Sequence, residues 1–422
     1  MSNSNISLDE QVEILIRGTR FADEVDDWGK DLIEGKSLRL QMKGELREKL
    51  KRGRPLRVYL GIDPTSTDLH IGHFVPLQKL RKFQELGHQV VFLIGDYTAT
   101  IGDPSGQTNE RRRFKHEQVL KMAKTYTDQA YRVLDPGKTE VRYNGEWLSK
   151  LTFEHIIELA SIFPMKQIIA RRDFQQRMDR GESVRFHESL YALMQGYDAY
   201  ALKCDVQVGA YDQHFNLLAG RAIQEYFGDE PHVMITNPLL VGTDGRKMSK
   251  SYGNVININD APFDMYGKTM RISDEYIHDY LELTSSLNTH EIDELLHQLK
   301  SGTNPMKIKK RLAHNLVQQY HGDAAAHEAE KEFSRVVQKK EAPEEVPEIE
   351  VPSDLLDATW VDLCAALNLG KSKGEIRRLI KQGGFYVDQQ PMHDINARAA
   401  ISVDGVLVRF GKRRYYRLVK GV

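Results

Sequence analysis

Two histidines lie three residues apart near the end of the segment YLGIDPTSTDLHIGH, residues 59–73. The pattern predicts a strand that ends at Asp63, a tight turn, and a helix that begins near His70. Because positions i and i+3 share a helix face, His70 and His73 could face one ligand. A helix N-terminus favours phosphate, and Gly72 would let a base or ribose approach the backbone. The alternative is a pair of surface histidines on an ordinary helix.

Two lysines frame a second segment, GRKMSKS, residues 245–251. It follows a predicted strand at 233–235 and a loop rich in Gly and Asp. Lys247 and Lys250 on such a loop could close over phosphates and stabilise charge in a transition state. Alone, the lysine pair is typical of a solvated loop. The combination of KMSKS at 247–251 with HIGH at 70–73 is a far more specific signature than either lysine pair or histidine pair alone. The residues assigned to catalysis are His70, Ile71, Gly72, His73, Lys247, Met248, Ser249, Lys250 and Ser251.

A third cluster lies on a predicted helix. Tyr191, Gln195 and Asp198 are spaced i, i+4 and i+7, which places them on one helix face. They could bind a polar ligand together, or they could form the solvated side of an amphipathic helix.

Predicted strands and helices alternate along the part of the chain that carries these clusters. Short apolar runs at 57–62, 89–94 and 233–235 are separated by stretches of helical periodicity, which is typical of parallel βαβ units. We therefore expect an α/β fold, with a Rossmann-like parallel-sheet catalytic domain at 57–259 after a helical N-terminal lead-in at 1–56.

The C-terminal third differs in composition. Helical patterns dominate 260–337 and predict an α-helical domain, and the segment 338–352, QKKEAPEEVPEIEVP, predicts an acidic, Pro-rich linker. Residues 353–422 contain twelve Lys and Arg against seven Asp and Glu, a net charge of +5. Basic and aromatic residues alternate near its end, so a small α+β module that binds an RNA backbone is expected.

Composition excludes several classes of protein. Lys+Arg 59 against Asp+Glu 60 leaves no global basic field, and 40% hydrophobic with 28% charged residues is typical of a globular chain. Cys204 and Cys364 are too far apart in sequence to indicate a zinc or disulfide framework. We found no GxGxxG motif, secretory signal or apolar run of membrane-spanning length, so a cytoplasmic protein is expected and a dinucleotide oxidoreductase is disfavoured.

HIGH together with KMSKS on a Rossmann-like sheet resembles the class I aminoacyl-tRNA synthetases. Three further segments resemble the bacterial tyrosyl-tRNA synthetases: GDPSG at 102–106, YALMQGYD at 191–198 and DQ at 212–213. Residues 353–422 resemble the S4-like RNA-binding domain of that family. The resemblance implies a tyrosine–tRNA ligase, which uses ATP to convert L-tyrosine to tyrosyl-adenylate plus pyrophosphate and then transfers tyrosine to the 3′ end of tRNA(Tyr).

The resemblance also implies roles for single residues. Tyr59 and Asp198 would bind the phenol, Asp103, Tyr191 and Gln195 the ammonium group, and Gln213 the carboxylate and α-phosphate region. The implied ATP contacts are His70, His73, Asp63, Thr65, Gly72, Asp212, Arg111, Lys247 and Lys250. The implied tRNA contacts are Lys371, Lys373, Arg377, Arg378, Arg413 and Arg414. The family usually has GGxDQ with a small residue at x, whereas this chain has Ala210 and Tyr211 before Asp212.

ATP with Mg²⁺ would then be a substrate complex, with no tightly bound cofactor and no metal site made by the protein. A homodimer is expected by resemblance, with helices between about 130 and 190 as the interface. Two alternatives stay open: a tryptophanyl-tRNA synthetase, and a noncatalytic RNA-binding protein on a synthetase scaffold.

Overall fold

The structure, a computed structural model, describes residues 6–21, 37–64, 69–105, 116–246, 248, 252–338, 346–370, 372–402, 405–411 and 414–421. The chain divides into two compact units, 1–323 and 324–422. The predicted linker lies inside the second unit, so the domain boundaries drawn from composition stay a prediction. None of the helices in the described ranges is long and apolar enough to cross a membrane.

A five-stranded sheet forms the centre of the first unit. Its strands are β1 (Arg57–Ile62), β2 (Gln89–Ile94), β3 (Thr139–Tyr143), β4 (Val206–Ala210) and β5 (Val233–Asn237). All are parallel, in the order β3-β2-β1-β4-β5, with Tyr59 opposite Val91 on one side and Gln207 on the other. The predicted Rossmann-like sheet is confirmed. Because the strand order reverses between β1 and β4, a crevice opens at their carboxyl ends.

The strands differ in how clearly the sequence marks them. β2 has five consecutive buried residues, as expected of a strand covered on both faces. The sequence analysis missed β3 and β4, because TEVRY is largely polar and VQVGA contains glutamine and glycine. These short segments form strands because neighbouring strands pair with them. β3 pairs with β2, and β4 pairs with β1 and β5.

Helices precede, connect and follow the strands of this sheet along the chain. Those described between residues 6 and 333 are α1 (Leu8–Ile16), α2 (Leu38–Lys51), α3 (Ile71–Glu85), α4 (His116–Ala130), α5 (Gly145–Leu148), α6 (Phe153–Ser161), α7 (Met165–Ile169), α8 (Arg172–Asp179), α9 (Phe186–Ala201), α10 (His214–Tyr226), α11 (Pro262–Thr269), α12 (Ile277–Thr284), α13 (Thr289–Lys300), α14 (Pro305–His321) and α15 (Asp323–Phe333). Helices α9 and α10 pack closely at Gly196, where an added Cβ would lie 2.9 Å from Ile223 Cδ1. This contact holds α9 over the carboxyl edge of the sheet.

The second unit contains a smaller sheet, with strands β6 (Glu348–Val351), β7 (Phe385–Val387), β8 (Gln390–Pro391), β9 (Val406–Phe410) and β10 (Arg414–Lys420) in the order β6-β10-β9-β7-β8. Helices α16 (Trp360–Ala366) and α17 (Lys373–Lys381) pack on it, and Trp360, Phe385 and Phe410 form the centre of its core. β6 lies within the segment predicted as a linker. The difference has a physical reason: the alternation of Ile349 and Val351 lets this edge strand cover the core, and Val351 is fully buried.

Candidate active site

A cavity of about 280 Å³ lies at the carboxyl edge of the first sheet, where the strand order reverses. Residues from β1, β4, α3 and α9 line it, which is the expected ligand position in an open α/β sheet. It brings together these residues singled out in the sequence: Tyr59, Asp63, Gly72, His73, Asp103, Tyr191, Gln195, Asp198 and Gln213.

The two histidines lie at the start of α3. His70 is the residue before the helix and His73 is in its first turn, where His73 Nδ1 accepts a hydrogen bond from the backbone N–H of His70 at 3.3 Å. Their ring centroids are 3.9 Å apart. The backbone N–H of Ile71 donates to the carbonyl of Ile256 at 3.0 Å, so the helix start is attached to the segment that follows the second signature.

Met248 shows how the two signature segments meet. A Cβ on Gly72 would lie 3.3 Å from Met248 Sδ and 3.0 Å from His70 Nδ1, so a larger residue at position 72 would crowd both segments. The loop that carries Met248 is anchored at Asp244, whose Oδ1 accepts from Asn254 Nδ2 at 2.8 Å. Lys247, Ser249, Lys250 and Ser251 lie outside the described residues.

Asp198 lines the cavity and is almost fully buried, with an exposure of 3%. Trp147 Nε1 donates to its Oδ1 at 2.8 Å, and Asn144 Nδ2 donates to its Oδ2 at 3.2 Å. Burial raises the pKa of Asp198, whereas these two donors act in the opposite direction because they stabilise the carboxylate. Each oxygen keeps lone-pair capacity for a ligand hydroxyl.

Tyr59 provides a second polar group in this region. Its hydroxyl is buried and has no hydrogen-bond partner among the described residues. Burial raises the pKa of this phenol, with smaller contributions from the nearby Cys204 and Asp198, so it stays a neutral donor and acceptor. An unpartnered buried hydroxyl near a carboxylate is suited to a ligand that carries a hydroxyl.

Asp63 is held by two side chains. Thr98 Oγ1 donates to Asp63 Oδ1 at 2.7 Å, and the Tyr191 hydroxyl donates to Oδ2 at 2.9 Å. Gly95 makes room for this arrangement, because an added Cβ would lie 2.0 Å from Asp63 Oδ1 and 2.3 Å from Thr98 Oγ1. Thr65, predicted beside Asp63, lies outside the described residues.

Asp103 lies on the other side of the cavity. Its Oδ1 accepts from the backbone N–H of Ser105 at 2.9 Å, and its Oδ2 accepts from Gln213 Nε2. Asn216, fully buried in α10, contacts the same group of side chains and donates to Gln195 Oε1 at 2.8 Å. The carboxylate, the amides and Tyr191 form a polar wall suited to an ammonium group and its neighbours.

The turn after β4 holds the remaining nucleotide candidates. Tyr211, Asp212 and Gln213 form a single 3₁₀ turn directly before α10, and Ala210 lines the cavity. Asp212 is half-buried and does not line the cavity. Arg111 lies outside the described residues.

Sequence reasoning missed Asn144, Trp147, Thr98 and Asn216. Asn144 and Trp147 directly follow the unrecognised strand β3, so a prediction of that strand would have drawn attention to them. Asn216 is three residues after Gln213. Gln213 immediately precedes α10 and Asn216 is in its first turn, so this spacing brings both side chains to the start of that helix.

The predicted RNA contacts of the second unit lie on α17 and β10. Arg377 and Arg378 are exposed on α17, and Lys373 Nζ lies 2.7 Å from Asp362 Oδ1. Arg414 is at the start of β10, 3.4 Å from Glu375. Lys371 and Arg413 lie outside the described residues.

Comparison with known proteins agrees with the class of enzyme that the signature segments indicate. The family model described as "tRNA synthetases class I (W and Y)" matches residues 51–338. The chain therefore belongs to this family of class I tRNA synthetases, as the signature segments indicated.

The names of similar proteins within this family also specify the amino acid. A tyrosine–tRNA ligase of Carboxydothermus hydrogenoformans is 44% identical over 417 residues, 98% of each chain. Another, of Thermotoga maritima, is 46% identical over 380 residues, 89% of this chain and 94% of that protein. A truncated mitochondrial tyrosyl-tRNA synthetase of Aspergillus nidulans shares the fold, with a TM-score of 0.59 and 22% identity over 78% of this chain and 94% of that one.

Proposed function

We propose that this chain is a tyrosine–tRNA ligase, which activates L-tyrosine with ATP and transfers it to tRNA(Tyr). The observation that carries the proposal is that two buried groups line the same cavity: the Tyr59 hydroxyl, which has no hydrogen-bond partner among the described residues, and the Asp198 carboxylate. Relatives that match nearly the whole chain and are tyrosine–tRNA ligases support it.

In this proposal the substrate phenol lies between Tyr59 and Asp198. The hydroxyl donates to Asp198 and accepts from Tyr59, which satisfies both buried groups. Trp147 and Asn144 fix the carboxylate from behind. An indole substrate would leave the Tyr59 hydroxyl without an acceptor suited to it, so the site favours tyrosine over tryptophan.

The amino-acid end of tyrosine lies along the opposite wall. Asp103 and Tyr191 hold the ammonium group together with Gln195, while Gln213 lies beside the carboxylate and the α-phosphate. His70, Gly72 and His73 receive ATP at the start of α3, where the helix dipole favours phosphate. Asp63, Thr65, Asp212 and Arg111 complete the nucleotide contacts.

No protein nucleophile is required. The tyrosine carboxylate attacks the α-phosphorus, pyrophosphate leaves, and the protein contributes positioning and charge stabilisation. Mg²⁺ enters with the ATP phosphates as part of the substrate. Lys247 and Lys250 close on the pyrophosphate. The distance of 3.3 Å between Met248 Sδ and a Cβ added at Gly72 supports this role, because Met248 lies between the two lysines in the sequence.

The second unit would bind tRNA. Its exposed Arg377 and Arg378 and the nearby Arg414 offer cationic contacts to an RNA backbone, and Lys371, Lys373 and Arg413 lie in the same short segments. These contacts position the tRNA while the first unit carries out the chemistry.

A homodimer is part of the proposal. Several large apolar side chains on α6 to α9 are between 40% and 79% exposed: Phe153, Ile157, Met165, Ile169, Met178 and Phe186. Burial of such side chains against a second copy would be favourable. Light scattering at micromolar concentration should give about twice the chain mass of 48.4 kDa, and a monomer mass would contradict the dimer.

The experiment that tests the function is exchange of labelled pyrophosphate into ATP. Exchange should depend on tyrosine, and tryptophan should not support it. Absence of tyrosine-dependent exchange in a folded protein would favour a noncatalytic RNA-binding role instead.

A further inference from the structure

Asn216 occupies the centre of the polar wall but does not line the cavity. Its Nδ2 lies 2.8 Å from Gln195 Oε1, 3.0 Å from Gln213 Oε1, 3.2 Å from Ser105 Oγ and 3.5 Å from Asp103 Oδ1. The residue is 0% exposed. One buried amide therefore connects two glutamines that do line the cavity.

The orientation of these amides follows from Asp103. An ionised carboxylate only accepts hydrogen bonds, so Gln213 must turn its Nε2 toward Asp103 Oδ2, as observed. This leaves Gln213 Oε1 facing Asn216, which must present Nδ2. The same Nδ2 donates to Gln195 Oε1, and the Nε2 group of Gln195 is left for a ligand.

Asn216 donates both of its side-chain amide hydrogens to the two glutamines. Its Nδ2 has two, and the two shortest contacts are those with Gln195 and Gln213. Its Oδ1, in contrast, is buried and has no hydrogen-bond partner among the described residues. An unsatisfied buried acceptor destabilises the folded state, which makes asparagine a poor choice for packing alone.

We propose that Asn216 is a positioning residue that fixes the amide orientation of Gln195 and Gln213. Both glutamines then present N–H groups to the tyrosine carboxylate and the α-phosphate of ATP. Negative charge shifts between these groups when the carboxylate attacks and pyrophosphate leaves, so donors placed there stabilise it. Oε1 of Gln195 keeps a second lone pair for the ammonium group. If either amide turned over, an oxygen would face the negative groups instead.

This inference rests on the proposed function, and a mutant cycle in the tyrosine-dependent exchange assay tests it. Asn216→Ala should lower kcat for exchange roughly 10- to 100-fold, because the glutamines lose their fixed orientation. In a Gln195→Ala, Gln213→Ala background the same change should alter kcat by less than about threefold, because no amide remains to be oriented. An equal loss in both backgrounds would show that Asn216 only supports the fold.

Two controls keep the outcomes separate. Asn315→Ala removes another buried asparagine, whose Nδ2 donates to Ser286 Oγ at 3.0 Å away from the cavity, and should change kcat less than about twofold. Asn216→Ser retains one donated proton, so it should lose less activity than Asn216→Ala even if the alanine variant folds poorly. Wild-type protein without exchange would refute the proposed function, whereas normal exchange by Asn216→Ala would refute this inference alone.

Discussion

At the scale of single residues, the candidate site depends on two buried polar side chains, Asp198 and Tyr59. Asp198 is held by Trp147 and Asn144, whereas the Tyr59 hydroxyl has no partner among the described residues. A ligand without a hydroxyl would leave these groups unsatisfied in a closed environment. If the cavity binds the substrate phenol as proposed, we expect it to reject phenylalanine.

The first prediction concerns this selectivity. Tyr59→Phe should reduce the preference for tyrosine over phenylalanine by roughly 0.5–1.5 kcal/mol, the value of one neutral hydrogen bond. Asp198→Ala should reduce it more, because a charged acceptor is stronger. Tyrosyl-tRNA synthetases are known to prefer tyrosine over phenylalanine by a factor of about 10⁵. The ratio of kcat/KM values for the two amino acids in pyrophosphate exchange measures the effect.

Tyr320→Phe provides the matched control, since it removes a buried hydroxyl that does not line the cavity. Its ratio should equal that of the wild type. An unchanged ratio in both Tyr59→Phe and Asp198→Ala would exclude the phenol assignment.

At the scale of elements, tight approaches between loops and helices hold the site residues. β2 ends at Ile94, and Gly95 follows it with no space for a side chain beside Asp63 and Thr98. In the middle of α3, Lys79 joins that helix to the residue after α1 through a hydrogen bond from its Nζ to the Arg17 carbonyl at 2.6 Å. Both contacts link the sheet and α3 to neighbouring elements.

The second prediction is that Gly95→Ala displaces Asp63 and Thr98. We expect a loss of about 1–3 kcal/mol in the free energy of unfolding, together with a raised KM for ATP. Gly44→Ala in α2 is the control, because nothing lies within 4 Å of its added Cβ and it should stabilise the protein by about 0.5–1 kcal/mol. Denaturant unfolding and exchange kinetics measure both effects. Normal ATP dependence in Gly95→Ala would contradict the account of Asp63.

The third prediction is a pH dependence caused by Lys79. Burial, with a smaller contribution from the Lys82 cation, lowers the pKa of this ammonium group to about 7. Above this pH the folded protein has released a proton that the unfolded chain still binds, so stability should rise as pH increases from about 7 toward 10. Relative to Lys79→Met, the wild type should gain about 1.4 kcal/mol per pH unit in that range. Parallel unfolding profiles of the two proteins between pH 7 and 9.5 would refute it.

At the scale of the whole molecule, the candidate active site and the basic residues of α17 and β10 belong to different units of the chain. The cavity and both signature segments belong to unit 1–323, and the small sheet with α17 belongs to unit 324–422. Because β6 pairs with β10, a truncation that begins after residue 352 would leave β6 without its partner. A truncation before β6 removes the whole small sheet.

The fourth prediction follows from this organisation. A protein ending at residue 345 should keep tyrosine-dependent pyrophosphate exchange but lose much of its tRNA aminoacylation, because cationic contacts to the RNA are removed. The full chain with Arg377→Glu and Arg378→Glu is the control and should show the same split. Its aminoacylation defect should be largest at low salt and shrink as salt rises, because salt weakens the cationic contacts of the unmutated chain most. If the truncated protein charged tRNA as well as the full chain, the second unit would have a different role.

The sequence by itself determined the features that depend on local pattern. The α/β class follows from alternating apolar runs, and the common face of Tyr191, Gln195 and Asp198 follows from helical spacing, so all three line the cavity as their spacing suggested. The signature segments indicated the family, which the comparisons confirm. Such features require only neighbours within a few turns of the chain.

Only the tertiary structure decided which distant residues meet. Strands β3 and β4 have weak local patterns and exist because β1, β2 and β5 supply their hydrogen bonds. Trp147 reaches Asp198 across 51 residues, and Asn216 joins Gln195 across 21. Met248 packs against Gly72 for the same reason: parallel strands and close helix packing fix such pairs, and no local period along the sequence encodes them.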